Sequence, residues 1–360
     1  MTEQIRPYAI DVPQAELDEL RDRLGRVRWT EELDDAGWDY GVPVDHLRKL
    51  VAYWRDEYDW RAWERRLNAY PQFTTEIDGQ TIHFLHVRSR RPDALPLLML
   101  HGWPGSVVEY LDVIEPLSAD FHLVIPSLPG FGFSGPTKDR GWSPWRMVPA
   151  FVELMKRLDY GSYGVVGNDW GSYIAPEIGR AAPDNVVGVH VQQVWSEPSG
   201  DPEELARLTE QERAAVAENE WFSGNGGAYD KVHRQIPQTL AHALADSPVG
   251  LLAWNGQLWR DSVDIDFGLT NVSIYWLTGT IASAMRIYRE FYVAEPVAKE
   301  RTTVRLGLAM FEYDWNSVRT LADRDHANIA SWNVYDGDGH WAAHQATDTY
   351  VQDVRAFFGH

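Results

Sequence analysis

A chain of 360 residues, 44% apolar and 24% charged, has a globular composition and the length to bury a sizeable core, as one large domain with additions or as two. Its 53 Asp and Glu against 33 Lys and Arg give a formal charge of −20, which repels phosphate backbones and anionic lipid; no nucleic-acid and no membrane partner is expected, and an uncharged small molecule fits better. With no cysteine there is no disulfide, no thiol nucleophile and no thiolate metal site.

The opening MTEQIRPYAI has no apolar signal-peptide core, and apolar runs such as residues 95–100 are far shorter than the ~20 residues of a membrane span, so a cytoplasmic protein is expected. The N-terminal part reads as helical: Leu17, Leu20, Leu24 and Val27 fall at helical spacing after Pro13, and Leu47, Leu50, Val51 and Trp54 form a second stripe. From Phe73 the period changes to alternation. Asp78-Gly79 predicts a hairpin turn, with Ile82, Phe84 and Leu85 in the returning strand. Apolar β-like runs recur at 97–100, 123–125, 164–166 and 186–194, with helical stretches at 148–158 and 172–180, which predicts a parallel sheet covered on both faces. Between about 196 and 298 the pattern is helical and aromatic, as in 205–219 and 274–292, and predicts a lid inserted over the strand ends. Strand signals return at 304–311 and 329–335, before a final helix near 347–358.

Gly167-Asn168-Asp169-Trp170-Gly171 lies between a strand and a helix, where the G-x-nucleophile-x-G elbow belongs. Its middle residue is Asp, which could equally be an ordinary helix N-cap. His101-Gly102-Trp103-Pro104-Gly105-Ser106 follows an earlier strand about 65 residues upstream, where the oxyanion loop of such folds lies; backbone N–H groups of Trp103 and Trp170 would form the hole. A histidine and its orienting acid should come late. His340, in Asp336-Gly337-Asp338-Gly339-His340-Trp341, is the candidate base, with His326, His344 and His360 as alternatives. Asp314 is the candidate acid and Glu312 the fallback. His340 and His344 have the spacing of a metal pair but no third clustered ligand, so no metal is expected.

Longer motifs carry a family resemblance over nearly the whole chain. Tyr53-Trp54-Arg55-Asp56-Glu57-Tyr58-Asp59-Trp60, Leu67-Asn68-Ala69-Tyr70-Pro71, His101–Ser106, Ser127-Leu128-Pro129-Gly130-Phe131-Gly132-Phe133-Ser134, Gly167–Ser172, Pro237-Gln238-Thr239 and Asp246-Ser247-Pro248-Val249-Gly250 resemble the microsomal-type epoxide hydrolases in order and wording. The resemblance implies an α/β-hydrolase fold, with a mostly parallel sheet, a helical lid inserted before the last strands and an N-terminal helical extension. It divides the chain into an N-terminal domain (1–70), a first core part (71–195), a lid (196–298) and a second core part (299–360). It implies two lid tyrosines that hold the epoxide oxygen, matched by Tyr229 and Tyr288, with Tyr292 and Tyr275 nearby. It also implies covalent catalysis by Asp169 and hydrolysis of the resulting ester by water activated at His340. No cofactor is implied. The expected partner is a small-molecule epoxide, bulky or aromatic in view of Trp195, Trp221, Trp254, Trp259 and Trp276; association as a homodimer is left open.

Three departures from the family pattern stand out. The acid lies in Phe311-Glu312-Tyr313-Asp314 where Phe-Pro is usual, Trp341 stands for a Phe, and His344-Gln345 for a Leu-Glu that could alter pairing near His340. The first ten residues also carry no sign of the membrane anchor of animal members. Two rivals remain in view: a haloalkane dehalogenase, which also uses an elbow Asp with a late His, and a catalytically silent ligand-binding protein of the same fold.

Overall fold

The alternating and apolar runs become one nine-stranded sheet. Its strands are β1 (Arg6–Tyr8), β2 (Gln72–Ile77), β3 (Gln80–Val87), β4 (Leu95–Leu100), β5 (Phe121–Pro126), β6 (Tyr163–Gly167), β7 (Val186–Val191), β8 (Leu306–Glu312) and β9 (Ile329–Asp338), in the order β1-β2-β3-β5-β4-β6-β7-β8-β9. From β1 to β5 neighbours are antiparallel, and from β5 across to β9 they are parallel. Strands β5 and β6 are buried throughout, which is why they read as unbroken apolar runs rather than as alternation. This computed structural model describes residues 4–260, 262–294, 300–312 and 314–359, without the side chain of Asp338.

Helices α1 (Gln14–Leu24), α2 (Val44–Asp56) and α3 (Trp60–Asn68) precede β2. Helices α4 (Leu111–Ser118), α5 (Pro144–Arg157) and α6 (Trp170–Ala181) alternate with the central strands. Between β7 and β8 the chain makes a helical excursion: α7 (Pro202–Arg207), α8 (Glu210–Trp221), α9 (Ala228–Gln235), α10 (Pro237–Asp246), α11 (Pro248–Gly256), α12 (Ile265–Thr278) and α13 (Ile281–Val293). Helices α14 (Arg319–Asp325), α15 (Ala342–Gln345) and α16 (Thr347–Phe358) complete the chain. Among the described residues no helix is long and apolar enough to cross a membrane.

Several boundaries differ from the sequence reading. The N-terminal part, read as helical, also supplies β1, which adds to the sheet edge at β2. The stretch 205–219 is two helices, because Thr209 and Glu212 form a capping box that restarts the chain. The stretch 274–292 is likewise two, because Gly279 adopts a left-handed φ of 63° and ends α12. Strand β7 stops at Val191, not 194, and β8 begins at Leu306, not 304.

The N-terminal helices brace the lid. Trp54 Nε1 donates to Ser273 Oγ at 3.0 Å, Tyr53 Oη donates to Asp266 Oδ1 at 2.9 Å, and the Tyr58 and Thr270 hydroxyls meet at 2.8 Å, all three on α12. Helix α12 in turn holds the loop after β4: Tyr275 Oη donates to the Gly105 carbonyl at 2.8 Å, and Ser106 Oγ to Asn271 Oδ1 at 2.6 Å. The N-terminal segment therefore reaches the centre of the fold through the lid.

Candidate active site

Every expected core position emerges at the C-terminal end of a parallel strand, where open α/β sheets gather their ligands. His101–Ser106 follows β4, Asp169 follows β6, Asp314 follows β8 and His340 follows β9.

The elbow is sterically specified. Asp169 adopts φ 53° and ψ −115°, a conformation costing a non-glycine residue about 1–3 kcal/mol. The helix-cap alternative is not realised, since the Asp169 side chain makes no cap hydrogen bond. A Cβ at Gly171 would lie 1.9 Å from the Leu100 carbonyl oxygen, and one at Gly102 would lie 2.0 Å from Asp169 Oδ1. Only glycine lets the oxyanion loop approach the carboxylate this closely.

The backbone N–H of Trp103 donates to Asp169 Oδ1 at 2.9 Å. Burial raises the Asp169 carboxyl above its ordinary range, a rise tempered by the His340 charge and the N–H groups of Trp103 and Trp170. His340 Nδ1 donates to Asp314 Oδ1 at 2.9 Å, which fixes the tautomer and leaves Nε2 as the available nitrogen. Burial disfavours the imidazolium, yet Asp314, Asp169 and Glu109 overcome it and lift His340 to about 9. Asp314 is held below its ordinary range although burial opposes this, through His340, the Gln193 amide and the Trp315 N–H.

The alternatives lie elsewhere. Glu312 is exposed and accepts from the Gly337 N–H at 3.4 Å, away from His340. His344 stacks on Phe267 at 4.0 Å and donates to Asp112 Oδ2 at 2.6 Å, so it pairs neither with His340 nor with a metal partner. Gln345 accepts from the Trp341 N–H at 2.9 Å and donates to the Ser262 carbonyl. His326 pairs with Thr302 Oγ1 at 2.7 Å, and His360 and Tyr313 lie outside the described residues.

The two expected tyrosines, Tyr229 on α9 and Tyr288 on α13, line one small cavity with Asp169, their ring centroids 6.0 Å apart and planes at 89°. Trp103 stacks on Tyr229 at 5.0 Å, and Trp170 meets Tyr288 edge-to-face at 4.7 Å. The two tryptophans whose backbones hold the carboxylate thus also hold the phenols with their rings. Burial first, and then the Asp169 charge, push both phenols above their ordinary range, so they stay protonated at neutral pH. Tyr275 is committed to Gly105, and Tyr292 is half exposed beside Arg234.

A cavity of about 360 Å³ opens onto Asp169, Asp314, His340 and Tyr229, and a smaller one of about 110 Å³ is lined by Asp169 with both Tyr229 and Tyr288. The larger is lined by Trp103, Trp195, Trp221, Trp315, Trp341, Phe222 and Leu258 beside the four site residues, with Glu218, Asn219 and Asn316 as further polar lining. Of the five lid tryptophans singled out in the sequence, only Trp195 and Trp221 reach the wall. Trp254 donates to His233 Nε2 at 2.9 Å, Trp259 packs on Gly256 and Gly268, and Trp276 lies under Arg23. Trp341, the Phe replacement, lies edge-on to His340 at 4.8 Å and is part of the wall.

The sequence reading missed three buried polar residues beneath the site. Asn168 Nδ2 donates to Glu109 Oε1 at 2.8 Å and to the His340 carbonyl at 2.7 Å, and Gln193 touches both flanking carboxylate segments. Burial raises Glu109 to about 8 despite the Asn168 bond, so it is mostly uncharged at neutral pH. Their signal in the sequence is polar side chains inside apolar surroundings, which a periodicity search passes over.

Such a sheet, with a strained elbow at its centre and an acid–histidine pair at its later strand ends, defines an α/β-hydrolase, and residues 96–286 match the alpha/beta hydrolase fold family. Residues 5–110 match the epoxide hydrolase N terminus family. A Stigmatella aurantiaca relative is 37% identical over 98% of this chain and 84% of its own length, and epoxide hydrolase 1 of Sus scrofa is 30% identical over 99% and 89%. An enantioselective mutant of the Aspergillus niger epoxide hydrolase superimposes with a TM-score of 0.88 at 32% identity, covering 99% of this chain and 96% of that one. The juvenile hormone epoxide hydrolase of Bombyx mori also gives 0.88, at 25% identity over 99% and 95%. The chain belongs to the epoxide hydrolase family.

Proposed function

We propose that this protein hydrolyses a neutral, apolar epoxide to a vicinal diol through an alkyl ester on Asp169. The observation that supports this reading is an elbow carboxylate held by the Trp103 N–H that lines one small cavity together with two protonated phenols, Tyr229 and Tyr288. An epoxide carbon is sp³, and a carboxylate attacks it without a base. As the ring C–O bond breaks, the oxygen needs a proton, which Tyr229 or Tyr288 supplies. Burial holds the phenols protonated and the Asp169 charge adds to it; that second contribution is consumed in the same step, so some acid strength is released as it is needed.

In the second step His340 takes a proton from water, and the oxygen of that water attacks Cγ of Asp169. The N–H groups of Trp103 and Trp170 hold the tetrahedral oxyanion, each donor being worth about 3 kcal/mol of barrier. Collapse breaks the acyl C–O bond and releases the diol. One proton of the water ends on the second hydroxyl and the other restores the tyrosine. The mostly aromatic wall, whose charged lining residues are Glu218 and the site carboxylates with no Lys or Arg among the described residues, suits an aromatic or otherwise bulky substrate without negative charge.

Isotope incorporation tests the covalent route. In ¹⁸O-water, with enzyme in excess, the diol of a single turnover should carry unlabelled oxygen and the Asp169 peptide should carry the label. Label in the diol from the first turnover, with none in the peptide, means direct attack by water and ends this mechanism.

The two steps should also respond differently to pH. Alkylation needs ionised Asp169, whose carboxyl lies above its ordinary value because of burial, so its rate falls as pH drops through that raised value. Hydrolysis needs neutral His340, which sits at about 9 in the free protein and falls once the adjacent carboxylate is esterified. Its acid limb should therefore lie below about 9 and be set by a different group from that of alkylation. Rapid-quench measurements should resolve separate acid limbs for ester formation and ester hydrolysis; coincident limbs for both steps contradict the assignment.

A further inference from the structure

Strand β7 lies between β6, which carries Asp169, and β8, which carries Asp314. Two strand spacings, roughly 10 Å, separate the segments that must act together. Gln193 stands two residues past the end of β7, fully buried, in that gap. Its Oε1 accepts from the Asp169 backbone N–H at 2.8 Å and faces Ser172 Oγ at 2.8 Å. Its Nε2 donates to Asn168 Oδ1 at 2.9 Å and to Asp314 Oδ2. The amide can sit only one way round, because the reverse would set N–H against N–H at Asp169 and oxygen against the Asp314 carboxylate.

We propose that Gln193 is the positioning residue of the hydrolytic half-reaction, tying the strained nucleophile backbone, the acid and the base loop into one unit. The inference rests on the covalent mechanism above. Asp314 then has both oxygens occupied, Oδ1 by His340 and Oδ2 by Gln193, so its carboxyl plane cannot rotate away from the imidazole. Through Asn168 the same amide reaches the His340 carbonyl, which Gln192 Nε2 also approaches at 3.2 Å. The groups facing His340 are Asp314 beyond β8, Asp169 beyond β6 and Glu109 beyond β4. The Gln193 N–H draws charge from Asp314; without it that carboxylate pulls harder on the imidazolium proton.

The test is Gln193→Met, close in length and without donors, in the full chain. A styrene-type epoxide serves as probe, and stopped-flow Trp fluorescence with rapid quench resolves the two steps. Hydrolysis of the alkyl-enzyme should slow by about tenfold or more, with its acid limb moved to higher pH, while alkylation, which loses only the acceptor for the Asp169 N–H, slows by clearly less and keeps its own limb. A purely structural role would instead lower both steps in proportion to the folded fraction. If Gln193→Met does not fold, Gln193→Glu retains the shape and should still move the limb to higher pH, because the two facing carboxyls share a proton and, whenever it is lost, carry more negative charge beside His340 than Asp314 with a neutral amide. An unchanged hydrolytic rate and profile, or equal losses in both steps, overturns the proposal. A wild-type protein that forms no adduct at all overturns the covalent mechanism instead, so the two failures are distinct.

Discussion

Replacing His340 with Gln should yield a protein that alkylates itself once and stops. The carboxylate of Asp169 needs no base to open an epoxide, so adduct formation should survive at a rate near that of the parent, provided the phenols are intact. Among the described residues no other imidazole is free to replace it: His344 is committed to Asp112. Glu109 is buried behind the elbow and mostly uncharged, and Asp314 is held below its ordinary range and so is a weak base. Steady-state turnover should fall by about four orders of magnitude or more, the cost typical of removing a base that acts as a unit with its partners. Intact-mass spectrometry should find protein plus one substrate, and peptide mapping should place it on Asp169. An inactive variant that carries no adduct after exposure to a substrate of the parent protein removes His340 from this role.

The second large effect is expected in the lid. Tyr229→Phe and Tyr288→Phe each remove one hydroxyl and leave the ring that packs on Trp103 or Trp170, so stability should change little. One phenol can partly cover for the other, and each single variant should slow alkylation by about a hundredfold, within the usual range for a general acid. The double variant should be almost inert, because no proton donor then faces the ring oxygen. The loss should appear in single-turnover alkylation and not in hydrolysis of ester already formed. Full alkylation rate in Tyr288→Phe would assign the oxygen to another donor, and the half-exposed Tyr292 is the first to examine.

Much of this arrangement is local in origin and so legible in the chain. The elbow needs glycine where a Cβ would strike the Leu100 carbonyl, and that demand is written in the five residues around Asp169. The loop at Gly102 is written the same way, as is the tight hairpin at Asp78-Gly79, where both residues take left-handed φ. Strands β4 to β7 announce themselves by apolar runs because both faces of a parallel sheet are covered. Errors arose where one local signal hid another. The apolar content of 274–292 masked the helix stop at Gly279, and β1 is too short to show a period.

Sequence alone thus determined the class of fold, the turn that exposes Asp169, and the order in which an acid and a histidine follow it, because periodicity and turn chemistry act over a few neighbouring residues. It preferred Asp314 to Glu312, two positions apart, but did not remove Glu312 as the fallback. That choice depends on where β9 brings His340 relative to the end of β8. Nor could it foresee that Trp103 and Trp170 would clasp the lid tyrosines, that Trp315 and Trp341 would replace Trp254 and Trp259 on the cavity wall, or that Gln193 would span the gap between two carboxylates. These are contacts between segments tens to hundreds of residues apart. They exist only once strand order sets β7 between β6 and β8 and folds the lid back over the strand ends, so tertiary structure alone decides them.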